Sequence, residues 1–158
     1  MTKLYDALAG ATNASQPLPN LATSGQPTPQ QFEALKHAGA QVVIDLRDPA
    51  EARPFNEPSV VTGLGMTYVN IPIGPMTPLN DALMDQILTV LRDHANDRVV
   101  MHCASANRVG GALIPYLVID QKMEQDDAID AAQRIGLRSP EYVDWALEYI
   151  ERHGGKGG

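Results

Sequence analysis

The sequence has a single cysteine among its 158 residues, and this scarcity excludes several kinds of protein. One cysteine cannot form an intrachain disulfide and cannot supply a cysteine-rich metal site. No second thiol is present to resolve an oxidised or persulfide form, so a second molecule must do so. The four histidines are scattered without the spacing of metal ligands, and we expect neither a metal nor another cofactor.

Long apolar runs and an excess of positive charge are also missing. No stretch is long enough to span a bilayer, and residues 1–14 lack the basic and apolar segments of a secretory leader. The net charge of −7 argues against a broad surface for nucleic acid or anionic membrane, because both need a basic face. We therefore expect a cytoplasmic protein that binds neither nucleic acid nor membrane.

The composition is that of one globular domain. A hydrophobic content of 44% and a charged content of 20% are typical of proteins in solution, and 158 residues can bury one core. We interpret residues 1–158 as a single domain without internal repeats. Within it, residues 1–19 are expected to be an N-terminal extension with a Ser/Pro-rich connection, and residues 154–158 a flexible tail.

Strand-like and helix-like segments alternate along the chain. Buried strands are predicted at residues 41–46, 66–72 and 98–101, and a shorter strand at residues 20–23. Helices are predicted over residues 4–8, 28–38, 79–95, 109–122, 125–135 and 139–152. Pro115 lies inside one of them and predicts a kink. This order predicts an α/β fold with three layers, in which helices flank a mostly parallel sheet and the C-terminal part is helical.

The run from Val99 to Gly111 carries the strongest functional pattern. An apolar strand ends in His102 and Cys103, a short polar loop follows, and Arg108 lies where the next helix begins. Backbone N–H groups and the helix dipole favour negative charge at such a position, and a neighbouring cation favours the nucleophilic thiolate. The pattern predicts covalent catalysis by the cysteine, the alternative being a buried structural cysteine.

Each residue of this loop has an expected role. Cys103 is the candidate nucleophile, and the Arg108 guanidinium is expected to bind a small anionic substrate. His102 is expected to orient the loop through hydrogen bonds rather than to transfer protons. The remaining residues are expected to bind substrate, mainly through backbone N–H groups. They are Ala104, Ser105, Ala106, Asn107 and Val109.

Two segments are expected to support the loop. Asp45 and Arg47 predict an ion pair beneath it, the alternative being that Arg47 reaches the substrate. Residues 24–27 either line the mouth of the site or form a turn. Three aromatic residues at near-helical spacing are expected in the core: Tyr142, Trp145 and Tyr149.

The loop resembles known active sites. His102-Cys103, a short loop and Arg108 resemble the signature of the cysteine-dependent phosphatases and of the sulfur-transferring rhodaneses. Together with Thr-Ser-Gly-Gln-Pro at 23–27 and Val-Ile-Asp-Leu-Arg at 43–47, they resemble the beta-lactamase-hydrolase-like, phosphatase-like domain family. This resemblance implies a dual-specificity-phosphatase-type fold. Members of that family occur alone or fused to persulfide dioxygenases, and both phosphatase and sulfurtransferase roles have been assigned to them.

The loop departs from the phosphatase pattern in two ways. Four residues separate Cys103 from Arg108 where the phosphatases have five, and Val109 replaces a Ser or Thr whose hydroxyl helps the thiolate to leave. Removing one residue shortens the Cα path by about 3.8 Å. A terminal sulfur is one atom, whereas a phosphoryl group presents three oxygens, so the shorter loop favours sulfur.

The proton donor of the phosphatases is missing from its usual place. The resemblance implies an Asp after the strand that precedes the main helix, but residues 71–76 contain no carboxylate. Asp48 or Asp81 would have to be brought in by folding. Ala106 stands where many relatives have Gly, which leaves open whether the loop needs a positive φ there.

These departures favour a sulfurtransferase, in which Cys103 carries sulfur from thiosulfate or a persulfide to a thiol acceptor. The alternative is a phosphatase of the tyrosine or dual-specificity type that acts through a phosphocysteine. A second alternative is an anion-binding module with little turnover.

Overall fold

The computed structural model describes residues 3–154, and strands and helices alternate along most of them. The strands are β1 (Ser15–Leu18), β2 (Leu21–Ser24), β3 (Val42–Asp45), β4 (Thr67–Asn70) and β5 (Val99–His102). The helices are α1 (Leu4–Ala7), α2 (Pro29–His37), α3 (Glu57–Gly63), α4 (Asp81–Asp93), α5 (Asn107–Pro115), α6 (Gln125–Ile135) and α7 (Pro140–His153). No helix among the described residues is long and apolar enough to cross a membrane.

The five strands form one sheet in the order β1-β2-β5-β3-β4. The pairs β2–β5, β5–β3 and β3–β4 are parallel, and only the edge pair β1–β2 is antiparallel. The mostly parallel sheet predicted from the sequence is therefore confirmed.

Helices cover both faces of the sheet because successive side chains of a strand point to opposite sides. Val42 and Ile44 pack in a cluster with side chains of α4, α5 and α7. Val43, between them, packs in a second cluster with side chains of α1, α2 and α3. The predicted three layers, with a helical C-terminal part, are therefore present.

The sheet register aligns the carboxyl ends of four strands. His102 at the end of β5 lies opposite Ser24 on one side and Asp45 on the other, and Asp45 pairs with Asn70. The chain segments that follow these residues therefore meet at one edge of the sheet, where sites of parallel α/β folds form.

Two stretches differ in detail from the sequence prediction. Residues 15–18 were expected to be a connection but form the edge strand β1. After Pro115, which cannot donate a backbone hydrogen bond, the helix changes to a π-helical stretch over Tyr116–Asp120. A flexible tail was predicted over residues 154–158. Gly154 directly follows α7, and residues 155–158 lie outside the described residues.

Close packing of α5 depends on two glycines. A Cβ at Gly110 would lie 2.7 Å from Leu137 Cβ, and one at Gly111 would lie 2.6 Å from Tyr142 Cβ. These distances are too short for carbon atoms, so glycine sets how closely the C-terminal helices approach the helix that follows the Cys103 loop.

We expect Gly111→Ala to destabilise the fold by about 1–3 kcal/mol, because overpacking outweighs the higher helix propensity of alanine. Gly63→Ala is the matched control, since nothing lies within 4 Å of a Cβ at this exposed helical position. The control should be neutral or stabilising by up to about 1 kcal/mol. Urea unfolding of both variants checks this, and equal stabilities would contradict it.

Candidate active site

The loop between β5 and α5 has its carbonyl groups turned outward. Three successive carbonyls each accept a hydrogen bond: Ala104 from the N–H of Gln26 (3.2 Å), Ser105 from Nδ2 of Asn13 (2.9 Å) and Ala106 from the N–H of Gly110 (3.0 Å). In a trans peptide the N–H points away from the carbonyl of the same unit. The N–H groups of Ser105, Ala106 and Asn107 therefore point toward the inside of the loop.

These inward N–H groups belong to a longer unpaired series. In the described structure, the backbone N–H groups from Ala104 to Val109 donate to no protein atom. Successive unpaired N–H groups at a helix start form an anion-binding concavity. The loop is therefore built to bind negative charge beside Cys103.

Ala106 has a left-handed backbone with φ +71°. The sequence leaves open whether the loop needs a positive φ at this position. The structure shows that the loop adopts one there, although the residue is alanine and not glycine. An L-residue pays about 1–2 kcal/mol for this conformation. Its carbonyl caps the first turn of α5 by accepting from Gly110.

Cys103 lies at the bottom of the loop with no exposed surface. Its side chain belongs to the main core cluster, but its surroundings are not purely hydrocarbon. Its N–H donates to the carbonyl of Ser24 (3.4 Å), and its side chain interacts with Arg108. The thiol is thus held between the apolar core and a cation.

Arg108 points into the site and is held along one edge of its guanidinium. NH1 contacts Glu51 Oε2 (2.6 Å) and the carbonyl of Ile73 (2.9 Å), and NH2 contacts Glu51 Oε1 (3.1 Å). Burial lowers the pKa of Arg108, but the hydrogen bond to Glu51 and the charge of Cys103 outweigh this effect and raise it. Within residues 3–154, the Nε–H and the second N–H of NH2 donate to no oxygen atom, and the guanidinium also interacts with the Cys103 side chain. Such a fork fits two oxygens of one anion.

Glu51 was not singled out from the sequence, although it shapes the site. The hydrogen bond from Arg108 lowers its pKa to about 2, against the opposing effect of burial, with help from the N–H of Asp48 and the charge of Arg47. Its carboxylate also contacts Arg47 Nε (3.3 Å). Glu51 is therefore ionised at neutral pH and orients Arg108. Only the tertiary structure reveals this, because glutamates near a proline-rich loop carry no distinctive spacing.

His102 is buried beneath the loop between two acceptors. Its Nε2 lies 2.5 Å from Glu57 Oε2, and its Nδ1 lies 3.3 Å from the carbonyl of Cys103. This placement agrees with the orienting role expected for His102, which stays a prediction. Glu57, at the start of α3, is itself 1% exposed and was missed in the sequence.

Asp45 is fully buried, and the predicted ion pair between it and Arg47 is wrong. Asp45 pairs with Arg53 NH1 (2.5 Å) and accepts a hydrogen bond from the Tyr68 hydroxyl (2.6 Å), while only the backbone N–H of Arg47 reaches it (2.8 Å). Burying a carboxylate is costly unless a cation pairs with it, and in this structure Arg53 is the arginine whose guanidinium contacts Asp45.

Arg47 instead supports the wall of the site. Its NH1 donates to Gln26 Oε1 (2.8 Å), its NH2 to the carbonyl of Ala52 (2.8 Å), and its Nε contacts Glu51. Gln26 in turn donates through Nε2 to Glu57 Oε1 (2.7 Å). Residues 24–27 therefore pack against the loop as part of its framework.

Asp45, Glu57 and His102 offer three potential ligand atoms within 4.8 Å of one another. Their polar atoms are already engaged by protein partners, since Arg53 and Tyr68 bind Asp45, and His102 binds Glu57. A metal ion would have to displace these contacts, so the chemistry of this cluster fits a hydrogen-bonded network.

The other predicted site residues divide between backbone and side-chain roles. The Asn107 side chain binds the turn before α7, accepting from the N–H groups of Arg138 (2.8 Å) and Ser139 (3.2 Å). The Val109 side chain is buried in the core, so only its N–H faces the site. Ser105 participates through its peptide groups.

The aromatic residues predicted for the core are confirmed there, with one of them near the site. Trp145 and Tyr149 are 3% and 4% exposed. Tyr142 is partly buried against the same cluster, and the charges of Arg108 and Cys103 act on its hydroxyl.

Asp48 and Asp81, the two carboxylates considered as proton donors, lie in different surroundings. Asp81 is bound by Arg152 and His153, whose hydrogen bonds lower its pKa. Asp48 lies beside the site, because its N–H donates to Glu51 Oε2 (2.7 Å).

The sequence matches no family model and no curated protein, but solved structures share its fold. A candidate phosphatase of the DUF442 group from Shewanella putrefaciens CN-32 is 27% identical and has a TM-score of 0.80, over 95% of this chain and 99% of that one. Tk-PTP in its active form is 18% identical with a TM-score of 0.77, over 89% and 97%. The core catalytic domain of SIW14, a PP-IP phosphatase of S. cerevisiae, is 16% identical with a TM-score of 0.74, over 93% of each chain.

This chain has the tyrosine and dual-specificity phosphatase fold. The fold expected from the resemblance is therefore confirmed. The solved structures that share this fold include phosphatases, and in this chain a cysteine and an arginine lie in the loop between β5 and α5. None of these comparisons supports sulfur transfer, the function favoured by the loop spacing.

We expect Glu51→Gln to destabilise the protein at neutral pH by about 1–2 kcal/mol, because a charged hydrogen bond is lost. The pKa of Glu51 is lowered in the folded state, so its stabilising effect is full above the ordinary value of 4.5 and disappears as the pH falls toward about 2. Urea unfolding at neutral and acidic pH should show the difference from wild type shrinking over that range. Glu33→Gln, at an exposed helix position, serves as control.

We expect Ala106→Gly to keep the fold within about 1 kcal/mol of wild type, because relief of the left-handed backbone offsets the lost methyl group. Ala106→Val should cost about 2–3 kcal/mol, since a β-branched residue is strained at φ +71° in a buried position. Thermal unfolding of the two variants tests this. Tolerance of valine with unchanged stability would show that the loop does not need this conformation.

Proposed function

We propose that the chain is a cysteine-dependent phosphatase that hydrolyses phosphate monoesters through a phosphocysteine at Cys103. The observation that carries this proposal is the set of inward donors. The N–H groups of residues 105–107 point to the inside of the loop that begins at Cys103, and the Arg108 guanidinium interacts with the Cys103 side chain. A phosphoryl group presents three charged oxygens to such donors, whereas a terminal sulfur makes use of few of them.

The chemistry proceeds in two steps. In the first, the Cys103 thiolate attacks phosphorus, an S–P bond forms, and the P–O bond breaks with its electron pair going to the leaving oxygen, which takes a proton. In the second, water attacks phosphorus, the S–P bond breaks, and the sulfur leaves as thiolate. Ester and water become alcohol and inorganic phosphate. Arg108 and the N–H groups stabilise the negative charge that builds on the equatorial oxygens in both steps.

The proposed function agrees with the fold but has to accommodate the short loop. The DUF442 structure that resembles this chain is described as a candidate phosphatase, and the other two similar structures are phosphatases. The left-handed backbone of Ala106 turns the chain within the short loop, and the N–H groups on both sides of it, those of Ser105 and Asn107, point inward. A phosphate ester, rather than thiosulfate with a thiol acceptor, is therefore the proposed substrate.

Sulfur transfer remains the second candidate on one specific observation. Four residues separate Cys103 from Arg108, and Val109 provides no hydroxyl to help a thiolate leave a phosphocysteine. Transfer of a sulfane sulfur to Cys103 needs neither the longer loop nor a hydroxyl after the arginine, because the rest of the donor leaves as a stable anion.

Two assays separate these functions. We expect aryl-phosphate hydrolysis that is abolished in Cys103→Ser and falls about 10²–10³-fold in kcat/KM in Arg108→Lys, because lysine cannot present the two-pronged edge. Thiosulfate-to-cyanide sulfur transfer is measured on the same preparations. Cysteine-dependent sulfur transfer without phosphate release would overturn the proposal, and neither activity together with tight phosphate binding would indicate an anion-binding module.

A further inference from the structure

The position from which this fold is expected to supply a proton donor is occupied by a carboxylate from a different loop. Residues 71–76, after β4, contain no acidic residue. Gly74 in this segment lies against the Asp48 side chain so closely that a Cβ at position 74 would overlap Asp48 Oδ2 and lie 2.9 Å from its Cγ. The Asp48 carboxyl group therefore fills the space into which a side chain at position 74 would project.

A ring of contacts holds Asp48 next to Arg108, on the side of the guanidinium that Glu51 and the carbonyl of Ile73 bind. The N–H of Asp48 donates to Glu51 Oε2 (2.7 Å), and the same oxygen contacts Arg108 NH1 (2.6 Å). NH1 also donates to the carbonyl of Ile73 (2.9 Å), the residue before Gly74. Asp48 is thus linked to the guanidinium from two sides.

The other carboxylates at this edge of the sheet are unsuited to donate a proton. Glu51 is ionised, with a pKa of about 2, and both its oxygens contact Arg108. Asp45 and Glu57 are fully buried beneath the loop and engaged by Arg53 and His102. Asp48 is partly exposed, and it differs from all three because its Oδ2 accepts no hydrogen bond within residues 3–154.

We propose that Asp48 is the general acid of this enzyme, supplied by the loop after β3 in place of the loop after β4. This inference rests on the phosphatase function proposed above. When the Cys103 thiolate attacks phosphorus, the Asp48 carboxyl transfers its proton to the leaving oxygen as the P–O bond breaks. In the second step the Asp48 carboxylate takes a proton from the attacking water, which restores the acid and releases phosphate.

The experiment compares leaving groups. Loss of a general acid matters for a basic leaving group and little for an acidic one, so kcat/KM is measured with phenyl phosphate and with dinitrophenyl phosphate. We expect Asp48→Asn to lower the value for phenyl phosphate about 10²-fold and that for dinitrophenyl phosphate less than about 3-fold. Asparagine keeps an oxygen for the hydrogen bond from the N–H of Ala50 (2.9 Å).

A second variant tests the placement without removing the carboxylate. Gly74→Ala puts a methyl group where Asp48 Oδ2 lies, so it should displace the acid and give the same selective loss, about 10-fold. Asp93→Asn removes an exposed carboxylate at the end of α4 and should leave both substrates unaffected. Inhibition by inorganic phosphate should be unchanged in Asp48→Asn, because its binding groups are intact.

Each result decides the question. An equal loss for both substrates, or no loss, in Asp48→Asn would overturn the assignment of Asp48 while leaving the phosphatase function in place. Failure of the wild-type protein to hydrolyse either substrate would overturn the proposed function and this inference with it.

Discussion

The orientation of three peptide groups between Ala104 and Asn107 is the constraint on which the site depends. The loop carries six N–H groups in succession, from Ala104 to Val109, that donate to no atom of the described residues. It keeps them because its carbonyl oxygens are bound by Gln26, Asn13 and Gly110, which belong to three different parts of the chain. A peptide cannot rotate its N–H outward without breaking the bond of its carbonyl. The surrounding structure therefore holds the N–H groups of the loop in an orientation that favours anion binding.

Charged groups around the loop are arranged in two layers, which Arg47 and Gln26 connect. Beneath it, Asp45, Glu57, Arg53 and His102 form a buried network in which each carboxylate has a partner. Such pairs contribute little net stability, but a missing partner would be costly. Above it, Glu51 holds one edge of Arg108 and leaves the other free. The lower layer fixes the loop, and the upper layer aims the cation.

The loop spacing favours sulfur transfer and the fold favours a phosphatase, and the structure shows what the spacing alone leaves out. Counting residues between Cys103 and Arg108 treats the loop as a ring whose size follows its length. The positive φ of Ala106 redirects the backbone within the loop, so the direction of its N–H groups does not follow from the residue count alone. Likewise, absence of an acid from residues 71–76 says nothing about a carboxylate that reaches the same space from elsewhere, as Asp48 does.

The sequence by itself determined what depends on near neighbours in the chain: most of the strands and helices, the parallel sheet, and a cysteine at a strand end five positions before an arginine at a helix start. It did not predict the edge strand β1 or the helix α3. Alternating apolar residues and helix caps are local, so they can be recognised without the fold. The tertiary structure alone decided that Asp45 pairs with Arg53, that Glu51 and Glu57 hold Arg108 and His102, and that Asp48 meets Gly74. The strength of an ion pair depends on the distance between the charges in space. Where several acidic and basic side chains lie in one short stretch of sequence, their spacing therefore does not predict which of them form pairs.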